Sequence, residues 1–147
     1  MKNKLLLIPL LALLLLGGCV SVPMAPSNLD SDAKTFATVP DKSVIYIYRT
    51  SSAGGLIKMP VSVDGKEIGS TAYKVYFRVV VAPGNHTILA VASYNATLAL
   101  NTEAGKLYFV DQEPRMGILY AGAGLKQVSE EDGRSDVMDC KLAQSLP

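Results

Sequence analysis

Four charged side chains near predicted strand ends are the residues of this sequence most able to do chemistry. Arg49 follows one apolar run, and Asp111, Glu113 and Arg115 surround a proline at the end of another. Carboxylates and guanidinium groups gathered in one place bind polar ligands and can exchange protons with them. The four residues are therefore a candidate site for binding or hydrolysing a small ligand. The alternative interpretation is a solvated loop with local ion pairs.

Histidine and cysteine, which supply most metal ligands and many nucleophiles, are scarce. His86 is the single histidine and follows Pro83-Gly84-Asn85, so we interpret it as a solvated turn residue. The two cysteines are Cys19 and Cys140. Zinc and copper sites of the usual nitrogen and sulfur type need more ligands than these. We therefore predict no catalytic residue, no metal site and no cofactor.

The N-terminal segment places Cys19 where a lipid could be attached. Lys2 and Lys4 precede a continuous apolar run over residues 5–16, which is too short to span a bilayer but has the length of a signal-peptide core. Leu16-Gly17-Gly18-Cys19 follows and resembles the lipobox of bacterial lipoproteins. The resemblance implies a diacylglycerol on the thiol of Cys19 and cleavage before it, so that residues 1–18 are the signal peptide. The alternative is an ordinary secretory peptide with an incidental cysteine.

Lipidation of Cys19 would determine both the location of the protein and the state of its second cysteine. Two or three acyl chains hold a protein stably on a membrane. Val20 stands where inner-membrane lipoproteins of enteric-type bacteria carry an aspartate, so the resemblance implies the periplasmic face of the outer membrane. Cys140 has no partner left for an intramolecular disulfide. We expect it either to be buried or to form an intermolecular disulfide.

The charge balance excludes one class of partner. Loss of Lys2 and Lys4 with the signal peptide would lower the number of basic residues from 14 to 12, against 13 acidic residues. No basic surplus remains for a phosphate backbone, so nucleic acid is not an expected partner.

The rest of the chain divides into three segments. Residues 19–41 contain several prolines and small polar residues, which predict an acylated tether with Phe36 as its one large side chain able to dock on the domain. Residues 42–128 show strand patterns separated by turns. In residues 129–147, Ser129 followed by three acids predicts the start of a short C-terminal helix that runs to about Ala143.

The central segment predicts an all-β fold. Val44–Tyr48 is apolar on both faces, as expected for a central strand or for one whose tyrosines lie at a sheet rim. Asp64-Gly65 between alternating runs predicts a type I′ hairpin. With further strands that include Met116–Tyr120 and Leu125–Val128, about seven to nine strands at short spacings predict an antiparallel β-sandwich of the immunoglobulin or prealbumin kind. A barrel is the alternative, and a parallel α/β order is not expected because no crossover helix fits between the strands.

Several short motifs resemble those of one family. They are Asp32-Ala33-Lys34-Thr35-Phe36, Ile45-Tyr46-Ile47-Tyr48-Arg49, Val63-Asp64-Gly65-Lys66 with Ile68-Gly69, and Val81-Ala82-Pro83-Gly84-Asn85-His86. Over about residues 30–130 the sequence is similar to bacterial lipoproteins that carry domain of unknown function 2846. The resemblance implies a sandwich and an envelope location, and it implies no catalytic residue.

Two hypotheses for function follow. The first is a non-enzymatic lipoprotein, held on the membrane by acyl chains on Cys19, whose sandwich offers an edge strand or a loop end to an envelope protein or glycan. The second is a ligand-binding or hydrolytic domain that uses Arg49, Asp111, Glu113 and Arg115.

Overall fold

A computed structural model describes residues 21–147 of the chain. The predictions of a signal peptide, of lipidation at Cys19 and of an outer-membrane location from Val20 concern residues outside this range. Residues 21–147 contain nine strands and two short helices. In chain order these are α1 (Ser27–Ala33), β1 (Ser43–Arg49), β2 (Met59–Val63), β3 (Lys66–Thr71), β4 (Val75–Val81), β5 (Gly84–Ala90), β6 (Ala96–Thr102), β7 (Leu107–Met116), β8 (Ala121–Val128), α2 (Glu130–Met138) and β9 (Lys141–Leu142).

The strands form a two-sheet sandwich, which confirms the predicted fold class. One sheet has the order β8-β7-β1-β4-β9 and the other the order β3-β2-β5-β6. The expectation that all pairs are antiparallel is wrong, because β1 pairs with β7 in parallel and β4 pairs with β9 in parallel. Between β1 and β7 the chain builds the whole second sheet. The opposite layer of the sandwich therefore supplies the crossover that a helix supplies in other folds.

β1 is the central strand of its sheet, as one of the two sequence interpretations has it. All seven of its residues are fully buried. Ile45 and Ile47 enter the core between the sheets, whereas Tyr46 and Tyr48 enter a second core under the helices. The tyrosine hydroxyls are satisfied inside the protein, since Tyr46 Oη donates to the carbonyl of Ala33 at 2.7 Å.

The turn at Asp64-Gly65 is the predicted hairpin. It joins β2 and β3, with φ of 52° at Asp64 and 80° at Gly65. Both central residues thus have the positive φ that a type I′ turn requires.

The prediction of a separate strand over Met116–Tyr120 is wrong. β7 continues through Pro114 to Met116, and 117–120 is the turn that leads into β8. Beyond Asp111, β7 pairs with β8 alone. It is an edge strand there, which is where a sheet accepts a proline.

Residues 21–41 do not form the tether predicted from their composition. Val22 lies in the core between the sheets, Met24 bridges to Ala143, and Phe36 packs against Tyr46 with ring centroids 5.4 Å apart. These few apolar contacts hold a segment that is otherwise polar and exposed. Docking of Phe36 on the domain was predicted, whereas the contacts of Val22 and Met24 were not, because composition averages over the whole segment.

The C-terminal helix is confirmed, but it is shorter than predicted. The backbone N–H of Asp132 donates to Oγ of Ser129 at 3.1 Å, which makes Ser129 the N-cap. α2 ends at Met138 because the chain then pairs with the edge of β4, where the N–H of Lys141 donates to the carbonyl of Lys74. At the end of this helix and just after it, Val137 and Cys140 are buried and Met138 is exposed.

Candidate functional site

Arg49 lies between the two sheets. Its side chain is fully buried, and its guanidinium donates to the carbonyl of Ile57 at 2.7 Å and to the carbonyls of Ala53 and Gly54 at 3.0 and 2.7 Å. Burial lowers the pKa of Arg49. The three bonds hold the loop over residues 50–58 against the end of β1. Arg49 therefore has a structural role in closing this loop and does not reach solvent.

The other three predicted site residues lie on the opposite face of the same sheet. Asp111 follows Leu107 and Phe109 on the face of β7 that packs under α2, and Glu113 and Arg115 continue that face beyond the helix, where both are exposed. The structure thus brings Asp111 near Glu113 but separates both from Arg49 by the thickness of the sheet. The four residues do not converge on one pocket.

Asp111 is the most perturbed carboxyl of the predicted group. Burial raises its pKa to about 6, helped by the negative charges of Glu113 and Asp136 and opposed by Lys126. Its Oδ1 is buried without a hydrogen-bond partner among the described residues. The neighbouring carboxylate of Asp136 accepts a hydrogen bond from Tyr48 Oη at 2.7 Å. A carboxyl with this pKa can exchange protons at neutral pH, but the three cavities described for residues 21–147 are lined by other residues.

A polar cluster that the sequence analysis missed lies in the core beside Arg49. Oγ1 of Thr71 donates to Oε1 of Gln112, and both side chains are buried. Nε2 of Gln112 and Nε of Arg49 have no partner in the described part of the chain. Gln112 in the sequence of β7 could have indicated this cluster, because a buried polar side chain without a partner is costly and so predicts a polar neighbour.

Cys140 is buried under the first sheet, which is one of the two states expected for it from the sequence. Its thiol is 1% exposed and contacts the carbonyl of Arg49 at 3.9 Å. Burial raises the pKa of this thiol to about 12, and Asp136 and Asp139 add to the effect. A thiol in this state is neutral and unreactive at physiological pH.

His86 forms an ion pair, unlike the free turn residue predicted from the sequence. Its Nδ1 lies 2.6 Å from the carboxylate of Asp64, and its Nε2 lies 2.7 Å from the carbonyl of Ala82. Burial alone would lower the pKa of His86, but these two partners raise it. The same pair lowers the pKa of Asp64. The interaction joins the β2–β3 hairpin to β5. We therefore assign the ion pair a structural role.

The largest of the three cavities is an open groove of about 870 Å³ between α1 and the C-terminal segment. Leu29 and Ala33 of α1 line one side, and Leu142 lines the other. Asp32 and Arg78 are the charged residues on its walls. This groove is mostly apolar and carries no cluster of catalytic groups.

One end of the sandwich carries a concentration of exposed apolar side chains. The loops at this end follow β1, precede β4, join β5 to β6 and join β7 to β8. Seven of the twelve large apolar side chains exposed in residues 21–147 lie there, and we call this surface the apolar end: Leu56, Tyr73, Tyr94, Met116, Ile118, Leu119 and Tyr120. The sequence analysis missed it because it assigned Met116–Tyr120 to a strand.

Nowhere in 21–147 do three histidine, cysteine or acidic side chains come together as metal ligands would. Within the same range, neither helix is long and apolar enough to cross a membrane.

Comparison with known proteins places the chain in a family. Residues 40–124 match the family model described as "Protein of unknown function (DUF2846)". An uncharacterized protein of Haemophilus influenzae is 38% identical over 135 residues, which cover 90% of this chain and 80% of that protein. No solved structure matches the chain. The chain is a member of the DUF2846 family, as its short motifs suggested.

Proposed function

We propose that this protein is a non-enzymatic envelope lipoprotein, anchored by acyl chains on Cys19, whose sandwich binds another component of the envelope. Its expected location is the periplasmic face of the outer membrane. The observation that carries the proposal is the position of the lipobox-like sequence, which ends two residues before Ser21. Val22 is already part of the core, so an anchor at Cys19 would be joined directly to a folded domain.

The distribution of charged groups supports a binding role over an enzymatic one. Arg49 is committed to three backbone carbonyls inside the protein, and the raised pKa of Asp111 is explained by burial under α2. Neither residue lines a described cavity.

Strand β6 is the best candidate for the surface that meets an envelope partner. It lies at the edge of its sheet and pairs with β5 alone, and its sequence Ala96–Thr102 contains no charge and no proline. Edge strands are usually protected by such residues, and an unprotected edge can accept a strand from another chain. The opposite edge, β3, carries Lys66 and Glu67 and is covered by the N–H of Leu146, which donates to the carbonyl of Ile68.

Acylation is tested by metabolic labelling with a palmitate analogue and by membrane fractionation. Cys19→Ala should abolish labelling and leave an unprocessed or mislocalised protein. Cys140→Ala is the matched control, because it removes the other cysteine and should leave labelling intact. Label retained by Cys19→Ala, or lost from Cys140→Ala, would contradict the proposal.

The partner surface is tested by site-specific photocrosslinking in intact cells. A photoreactive residue in place of Ala99, which is exposed on β6, should capture an envelope protein or glycan. The same probe in place of the exposed Glu67 on β3 should not. No capture at Ala99, or equal capture at both positions, would count against strand addition at β6.

A further inference from the structure

We propose that the apolar end of the sandwich rests on the lipid surface in which Cys19 is anchored. This inference rests on the proposed acylation and adds the orientation of the domain and the residues that touch lipid.

The chain between the proposed anchor and the domain is short. The described chain begins at Ser21, and only Val20 separates it from Cys19. Two residues of extended chain cover about 7 Å. Val22 is buried in the core, so the segment before it has no slack to let the domain swing away. The part of the surface around Ser21 must therefore lie against the bilayer.

Ser21 lies at the apolar end of the sandwich. With Val22 it lines a small cleft beside Ala72, Tyr73 and Lys74, the turn that precedes β4. The first residue of β4 pairs with the last residue of β1, and β7 runs parallel to β1. The β7–β8 turn therefore lies at the same end as Ser21. Strands β7 and β9 are three interstrand spacings apart, or about 14 Å, so anchor and turn occupy opposite sides of one end.

The exposed side chains of that end have the chemistry of a membrane interface. Ile118 is fully exposed, and Leu56 and Leu119 are 80% and 81% exposed. Tyr94 and Tyr120 stand edge to face with ring centroids 6.4 Å apart. Aliphatic side chains flanked by tyrosines match the boundary between hydrocarbon and headgroups. Large apolar side chains gathered on an exposed surface mark a place of contact.

The charge of the loops also differs between the two ends. The loops of the apolar end, residues 50–58, 72–74, 91–95 and 117–120, contain Lys58 and Lys74 and no acidic residue, although Asp139 lies beside Lys74 in the cleft next to Ser21. The turns at the other end contain three acids and two lysines: Asp41, Asp64, Glu103, Lys42 and Lys106. Anionic lipid headgroups therefore favour the first end over the second.

A lipid surface fits these observations better than a second protein. A partner seated on the apolar end would have to enter the gap between Ser21 and the membrane, and two residues of chain leave no room for one. The hairpin of β7 and β8 is also braced, because the N–H of Ala123 donates to the carbonyl of Tyr94 at 2.8 Å. The apolar side chains are therefore presented on a preformed support.

The test uses the mature acylated protein, which begins at Cys19, in vesicles of phosphatidylcholine and phosphatidylglycerol. The chain contains no tryptophan, so each introduced tryptophan is a single fluorescent probe. Leu119→Trp and Leu56→Trp report on the apolar end. Ala104→Trp, at an exposed turn of the opposite end, is the matched control. Mass spectrometry of the same preparations determines whether Cys19 carries acyl chains.

The proposal predicts blue-shifted emission for Leu119→Trp and Leu56→Trp and strong quenching by lipids brominated on their acyl chains, with Ala104→Trp unchanged. If the protein is acylated and both probes at the apolar end remain unquenched, the proposed orientation is wrong and the anchoring stands. Crosslinking of the apolar end to a second copy, without quenching, would likewise overturn it. Absence of acyl chains on Cys19 would instead refute the proposed function, and the orientation with it.

Discussion

Asp111→Asn should stabilise the protein at neutral and alkaline pH. The substitution keeps the size of the side chain and removes a half-buried charge that Glu113 and Asp136 repel. The pKa of Asp111 rises from 3.8 to about 6 on folding. Each pKa unit corresponds to about 1.4 kcal/mol, which places an upper bound near 3 kcal/mol on the cost of the charge. Partial access of solvent reduces this bound, so we expect a gain of about 1–2 kcal/mol.

The gain should depend on pH in a defined direction. Because the folded state holds this proton more tightly than the unfolded state, the free energy of unfolding of the wild-type protein falls as pH rises from about 4 to about 6. The two proteins should therefore be equally stable near pH 4 and diverge by pH 8. Urea unfolding at both pH values measures this difference. Asp41→Asn, at an exposed turn, changes the charge equally and should show no such divergence. A neutral or destabilising effect of Asp111→Asn at pH 8 would refute the reasoning.

Three further predictions concern packing and pH. Phe36→Ala should lower the free energy of unfolding by about 3 kcal/mol, measured by urea unfolding, because the ring of Phe36 is buried against Phe109. Gly133→Ala should lower the melting temperature despite the better helix propensity of alanine, since its Cβ would overlap the ring of Phe109. His86→Gln should destabilise the protein at pH 5.5 more than at pH 8.5, because the stabilisation from protonated His86 is lost as pH rises through its raised pKa.

Each of these predictions has an outcome that contradicts it. Unchanged stability of Phe36→Ala would restore the interpretation of residues 19–41 as a free tether. A higher melting temperature for Gly133→Ala would show that α2 can move away from the sheet; Ser135→Ala, on the exposed side of the same helix, controls for propensity. A pH-independent effect of His86→Gln would mean that the ion pair with Asp64 adds nothing to stability.

The sequence predicted those parts of the fold that local chemistry determines. Asp64-Gly65 forms its turn because both residues tolerate positive φ, and Ser129 begins a helix because its hydroxyl caps a free N–H. Burial of β1 on both faces follows from its unbroken apolar sequence. The existence of a sandwich follows from the spacing of strands and turns.

The parts that the sequence did not predict depend on contacts between distant residues. A strand has the same alternation whether its neighbour is parallel or antiparallel, so the pairing of β1 with β7 leaves no local signal. Val22 is a single apolar residue in a polar segment, and only the folded domain shows the core that it enters. For the candidate site, the faces on which Arg49 and Asp111 lie depend on strand register, and a slip of one residue reverses them.

With the proposed acylation of Cys19, the packed N-terminal segment would change the expected position of the domain relative to the membrane. A free segment of about 20 residues could reach some 70 Å from the anchor. A segment held by Val22 and Phe36 would instead keep the domain at the membrane surface, with the apolar end toward lipid as proposed above.

Neutron reflectometry of the acylated protein on a supported bilayer tests this account most directly. The measurement gives the thickness of the water layer between the headgroups and the folded domain. The account predicts protein density that begins at the headgroups with no intervening water layer. A water layer of tens of ångströms, as a free tether would give, would contradict it.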